Sequence, residues 1–158
     1  RTTTDRDLPR LLELLREDGA DAAILVANCP VCHQSAALAA RHLEANGVPT
    51  VVIGAARDIV EHVGVPRFLF SDFPLGSACG RPHDRASQQL ILRLALQLLA
   101  EATAPPTTWQ VPLAWSDDPS WKRDYCNAAL MTPDAIAEAR AKFDRERAVA
   151  AGLRRAVL

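Results

Sequence analysis

Ala22-Ala23-Ile24-Leu25-Val26-Ala27-Asn28-Cys29-Pro30-Val31-Cys32-His33 carries an unbroken apolar run straight into a C-x-x-C-H motif. A short apolar run without polar alternation is the pattern of a strand buried on both faces, as in parallel sheets covered by helices. From Ser35 to Asn46 the period changes, with Ala37, Leu38, Ala40 and Leu43 recurring at helical spacing. Cys29 and Cys32 therefore stand in the first turn of a helix that follows a strand. Unpaired N–H groups and the positive end of the helix dipole lie there, and both favour a thiolate over a thiol. Pro30 suits the first helical position, where no N–H is needed.

Outward from this junction the same alternation of strand and helix continues. Leu8, Leu11, Leu12 and Leu15 predict a helix over Asp7 to Asp18, ended by Gly19. The helix after the motif runs from Pro30 to Asn46, and Thr50-Val51-Val52-Ile53 is a second strand. Ala56 to Val63 is a short helix broken by Gly64-Val65-Pro66, and Arg67-Phe68-Leu69-Phe70 is a third strand. A loop from Ser71 to His83 leads into a helix over Asp84 to Ala102, with Leu90, Ile91, Leu94 and Leu98 as its buried stripe. Strands separated by helices predict an α/β fold, a small doubly wound, flavodoxin-like or Rossmann-like parallel sheet with flanking helices. A three-stranded sheet is small, and the chain opens on Arg1 rather than Met. The expectation is an internal start, with further strands supplied by upstream sequence, a partner chain or a second copy.

Ala104-Pro105-Pro106 divides the chain into an α/β redox domain over 1–104 and a different region over 105–158. Trp109, Trp115 and Trp121 fall among Pro112 and Pro119, which predicts an extended arm packing its indoles on the core or on a partner. A final amphipathic helix is expected from Thr132-Pro133-Asp134 to about Ala150, with Thr132 as its cap and Ile136, Ala139 and Phe143 on one side.

Composition narrows the function. With 49% hydrophobic and 23% charged residues and a net charge of −1, the 158 residues offer no basic surface for nucleic acid or an anionic membrane. No apolar run is long enough to span a bilayer, and no secretory signal pattern is present. Cys29, Cys32, Cys79 and Cys126 are too few for a secreted disulfide scaffold, which points to the reducing cytoplasm and leaves the C-x-x-C to chemistry or metal.

Ligands of open parallel sheets bind beyond the carboxyl ends of the strands. That rim receives Asn28, Cys29, Cys32 and His33 from the first strand, Gly54, Ala55, Arg57 and Asp58 from the second, and Ser71, Asp72, Phe73 and the loop through Arg81, His83 and Asp84 from the third. Catalysis is assigned to Cys29, Cys32 and His33, and substrate binding to Asn28, Arg57, Asp72, Arg81 and His83. His33 either raises the thiolate population as an imidazolium or caps local structure. Arg57 and Arg81 either clamp a carboxylate or lie solvated at the surface. Asp84 is the N-cap of the helix after it. Cys79 lies on the rim, Cys126 is taken as structural, and His42 and His62 are assigned no chemistry.

Three chemistries fit the motif. Cys29 attacks and Cys32 resolves, leaving a disulfide that an external reductant reopens. Alternatively the motif anchors a c-type haem with His33 as axial ligand, but that attachment belongs to exported proteins and the buried strand leaves little room for a porphyrin. Or a metal takes Cys29, Cys32, His33 and Cys79 or His83; a second C-x-x-C is missing, so no metal site is assigned.

The segments Ile24 to Ser35, Gly47-Val48-Pro49-Thr50-Val51, Phe70-Ser71-Asp72-Phe73-Pro74-Leu75-Gly76 and Gly80-Arg81-Pro82-His83-Asp84 resemble the selenoprotein B family of glycine, sarcosine, betaine and D-proline reductases. The likeness covers roughly Leu8 to Ala102 and continues more loosely through Trp115 and Trp121 to Tyr125. The resemblance implies reductive cleavage of a carbon–nitrogen bond, with Cys29 where such proteins place selenocysteine and Cys32 as the resolving cysteine. It implies a pyruvoyl group on a partner subunit, not in this chain, which shows no pyruvoyl-forming segment. The chain departs from the pattern in carrying sulfur at position 29. The expected protein is thus a thiol-dependent oxidoreductase with a small-molecule substrate, a thioredoxin-like protein reductant and a homo- or hetero-oligomeric state. Two other readings remain open: a metal- or ligand-binding module using Cys29, Cys32 and His33, and an assembly subunit docking through its tryptophan arm.

Overall fold

The apolar run is a strand, β1 (Ala23–Val26), and the motif opens α2 (Pro30–Ala45), in a computed structural model that describes residues 3–124 and 128–156. Arg1, Tyr125 and Cys126 lie outside the described residues, and with them the readings made for the start of the chain and for Cys126. The order continues as β2 (Thr50–Gly54), α3 (Arg57–Val63), β3 (Arg67–Phe70), α4 (Arg85–Glu101) and β4 (Thr107–Gln110), with α1 (Leu8–Glu17) in front, preceded by a π-helical turn at Thr3–Asp7. All neighbouring strands pair in parallel, in the order β1-β2-β3-β4.

The sheet is covered on both faces, and the strand period explains how. Successive residues of β2 point to opposite faces. Val51 and Ile53, with Leu69, pack against Ile91, Ala95 and Leu98 of α4. Val52 and Phe68 pack against Ala37 and Ala40 of α2 and Val60 of α3. Every residue of β2 is buried, which is why no polar alternation marks this strand. Leu12 of α1 closes a third cluster with Leu43 and Val48. Each Val, Leu, Ile or Phe side chain among them contributes about 1.5–3 kcal/mol when fully buried.

One expectation is corrected: the sheet has four strands, and the fourth is built from this chain's own Thr107–Gln110, in the stretch read as an arm. Thr107, Thr108, Trp109 and Gln110 pair with Arg67, Phe68, Leu69 and Phe70. β1 and β4 are the two edge strands and neither has a fully buried residue, so the reading of β1 as buried on both faces is also corrected; Thr107-Thr108-Trp109-Gln110 lacks an apolar run and becomes a strand by pairing with β3. Trp109 and Trp115 pack on the α4-facing cluster, Trp115 meeting Phe73 edge-on at 5.4 Å between ring centroids.

At the amino ends of the strands, Glu44 Oε1 gathers the Thr50 N–H (2.6 Å), the Thr50 hydroxyl (2.9 Å) and Arg67 Nη1 (2.7 Å). This largely buried knot joins the end of α2 to β2 and β3.

The chain forms two compact units, divided between Asp117 and Asp118. The second contains α5 (Trp121–Asp124), a 3-10 turn (Ala128–Leu130) and α6 (Pro133–Ala156). Thr132 Oγ1 accepts the Ala135 N–H at 3.2 Å, the capping bond its sequence predicts. Among the described residues no helix is long and apolar enough to cross a membrane.

Candidate active site

The backbone leaves β1 through buried Ala27 and exposed Asn28 and reaches Cys29 in an extended conformation, φ −123° and ψ 164°. Cys29 is the N-cap of α2 and Pro30 its first helical residue. The Cys29 carbonyl accepts the first helical bond, from the His33 N–H at 3.0 Å. Its sulfur accepts the Cys32 N–H at 3.1 Å, taking the place a serine or aspartate oxygen fills in an ordinary cap. Cys29 and Cys32 are joined as a disulfide with Cα atoms 5.0 Å apart. Cys29 is exposed and Cys32 half-buried, so the pair is open to an attacking thiol.

His33 lies one turn into α2 and is completely buried. Its Nε2 accepts two backbone donors, the N–H of Ala55 at 2.8 Å and of Ala56 at 3.1 Å. The ring hydrogen therefore sits on Nδ1, an assignment made from these bonds, and is donated to the Cys29 carbonyl at 2.7 Å. Both ring nitrogens are spent on backbone, so of the two roles weighed for His33 the geometry matches the structural one. Gly54 makes room for the ring: a Cβ there would stand 2.7 Å from His33 Cδ2 and 2.8 Å from Nε2.

Beside the sulfur pair runs a cleft of about 580 Å³ between α2 and α3, lined by Pro30, Val31, Gln34, Asp58, Ile59, His62 and Val63. Val31, between the two cysteines, is 69% exposed. The cleft wall is mostly apolar with a carboxylate, an imidazole and an amide, a composition suited to orienting a small molecule or a peptide segment. His62, assigned no chemistry from sequence, belongs to this lining.

Among the remaining rim residues, Arg57 and Arg81 are both engaged within the chain. Arg57 bonds Glu61 through Nε at 2.8 Å and stacks over Phe70 at 5.8 Å. Arg81 bonds the Trp115 carbonyl at 3.1 Å, the Ala114 carbonyl and Asp84 Oδ2 at 3.1 Å, and lies over the Phe73 ring at 5.9 Å. It is a strap between the loop and residues 114–115 rather than a free guanidinium. His83 is exposed at φ 59°, a left-handed conformation that histidine tolerates better than most side chains. Asp72 is half-buried just past β3. The loop holds its shape through Ser71, whose hydroxyl donates to the Ala78 carbonyl at 2.6 Å, and through Asp84, which caps α4 by accepting the Ser87 N–H at 3.1 Å. That N–H first, and the Arg81 guanidinium after it, hold the Asp84 carboxyl below the usual aspartate range. Cys79 packs against the α4-facing cluster, and burial pushes its thiol up, the opposite of a poised nucleophile.

Sequence reasoning placed Gly54 and Ala55 on the rim but missed the slot at Gly54 and the N–H donors of Ala55 and Ala56. The only trace they leave is a run of small residues, Gly54-Ala55-Ala56, at the end of an otherwise bulky strand.

No protein-family model matches the chain, and no solved structure matches it. Over 93 residues it is 34% identical to the D-proline reductase subunit gamma of Acetoanaerobium sticklandii, a match covering 59% of this chain and 38% of that protein. The matched segment is thus about two fifths of that relative's length.

Proposed function

We propose that this chain is the thiol-bearing part of a reductase, with Cys29 as nucleophile and Cys32 as resolving thiol, acting on a carbon–nitrogen or related bond. The observation that carries the reading is a Cys29–Cys32 pair at the start of α2 with Cys29 exposed, a backbone N–H already on the Cys29 sulfur and a cleft alongside. A thiolate formed at Cys29 keeps that N–H and the helix N-terminus as its stabilising partners. The similarity to a D-proline reductase subunit supports an amino-acid reductase-like role in general.

The reduced pair supplies the Cys29 thiolate, which bonds to the substrate carbon while the electron pair of the carbon–nitrogen bond leaves with nitrogen, which takes up a proton. Cys32 then attacks the Cys29 sulfur, the disulfide forms, and the released carbon takes a proton. Carbon is reduced, the dithiol is oxidised, and a protein dithiol of the thioredoxin kind restores the pair by exchange. The resting product of this cycle is the same disulfide bridge that links Cys29 and Cys32 here. The relative is by name a subunit, so other subunits are proposed as partners, and any pyruvoyl group belongs to one of them. A reducing cytoplasm is the proposed compartment.

The metal-module reading has less support, because both nitrogens of His33 are bonded to backbone and, among the described residues, no group of three or more His, Cys, Asp or Glu gathers to hold an ion.

Intact mass tests the reading directly. Reduction is expected to add the mass of two hydrogens, Cys29→Ser to abolish turnover, and Cys32→Ser to accumulate a covalent adduct on Cys29. Full activity in Cys29→Ser would overturn the assignment.

A further inference from the structure

Resting on Cys29 as the attacking sulfur, the geometry points to His33 as a positioning residue that sets the sulfur pair against the α3 wall of the cleft, in a slot that Gly54 provides. The ring is fully buried and all its polar bonds go to backbone. One end holds the carbonyl of Cys29, the residue that carries the sulfur. The other end holds Ala55 and Ala56, and Ala56 is the N-cap of α3 and has no side-chain cap of its own. From that cap α3 runs directly into Asp58, Ile59, His62 and Val63, the far wall of the cleft. A single rigid imidazole therefore spans the two walls between which a substrate must meet sulfur. Catalytic geometry is sensitive to such spacing, because reaction rates fall steeply when the attacking atom is displaced from its productive position.

Gly54 makes the arrangement testable without touching His33. A methyl group at 54 would meet Cδ2 at 2.7 Å and Nε2 at 2.8 Å, and a ring has no flexible end with which to yield. Displacing the ring should thus mimic deleting it.

The experiment is competitive alkylation of the reduced full-length chain with iodoacetamide, reading the Cys29 to Cys32 labelling ratio by peptide mass. The wild-type chain is expected to label first at Cys29. His33→Ala is expected to lower the ratio by about tenfold, the scale of losing the bonds that hold the cap. Gly54→Ala is expected to move it the same way, while His33→Ala/Gly54→Ala is no worse than His33→Ala, since the added methyl then meets no ring. His33→Gln, which keeps an acceptor near the place of Nε2, is expected to recover part of the ratio. A wild-type ratio in both Gly54→Ala and His33→Ala, with native circular dichroism, overturns the proposal, and so do losses that multiply in the double variant. A wild-type chain with no preference for Cys29 overturns the nucleophile assignment instead, which keeps the two failures apart.

Discussion

At the scale of single residues, the site is a case of side chains doing backbone work. The Cys29 sulfur caps a helix, His33 bridges two backbone segments, and Arg81 fastens a loop to the Trp115 and Ala114 carbonyls. Asp84 has the clearest electrostatic signature of the group. Its carboxyl is held low in the folded chain, so its contribution to stability is present above the ordinary aspartate range and is lost as pH falls through the lowered value. Acid titration of the folded state, followed by circular dichroism below pH ~4, is therefore expected to show a shallower loss in Asp84→Asn than in the wild-type chain. Asp84 as a cap, and Cys29 and Cys32 at the start of a helix, are legible in sequence, because capping is a local matter of one residue and the next three. The bonds of His33 to Ala55 and Ala56 and of Arg81 to Ala114 and Trp115 are not, because those partners lie 22–23 and 33–34 residues away.

At the scale of elements, the loop between β3 and α4 is held as firmly as a helix end. Gly80, at φ 127°, sits where a Cβ would come within 2.9 Å of Gln88 backbone atoms on the first turn of α4. Both the backbone angle and the space forbid a side chain, so Gly80→Ala is expected to cost about 1–3 kcal/mol, read as a lower urea midpoint at unchanged slope. Phe68 of β3 is 1% exposed between α2 and α3 and is the largest of the fully buried side chains. Truncation to alanine leaves a cavity in the face that carries the cleft walls, and a loss of about 3–5 kcal/mol is expected by the same measurement. A loss under about 1 kcal/mol would mean that α2 and α3 do not pack on the sheet as described. The prolines and glycines of the long loop mark a segment of fixed shape, whereas its anchorage on α4 is not legible in sequence, since a glycine does not announce which neighbour comes close.

At the scale of the whole molecule, every residue of the three hydrophobic clusters precedes Asp118, from Leu11 to Trp115. A chain ending at Asp117 is accordingly expected to keep a cooperative thermal transition and the circular dichroism of an α/β fold, and loss of cooperativity would show that the second unit is needed for the first to fold. What the sequence by itself determined is the alternation of β1, α2, β2, α3, β3 and α4 and the location of the sulfur pair at a helix start. These follow from apolar period, caps and turn residues, which act over a few positions. Only the tertiary structure decided that Thr107–Gln110 completes the sheet, that His33 faces backbone rather than sulfur, and that a cleft opens between α2 and α3. Thr107-Thr108-Trp109-Gln110 has no apolar run and is a strand only through its pairing with β3, and a hydrogen bond or a cavity between distant segments exists only once packing has brought them together, so no local pattern in the chain could carry that information.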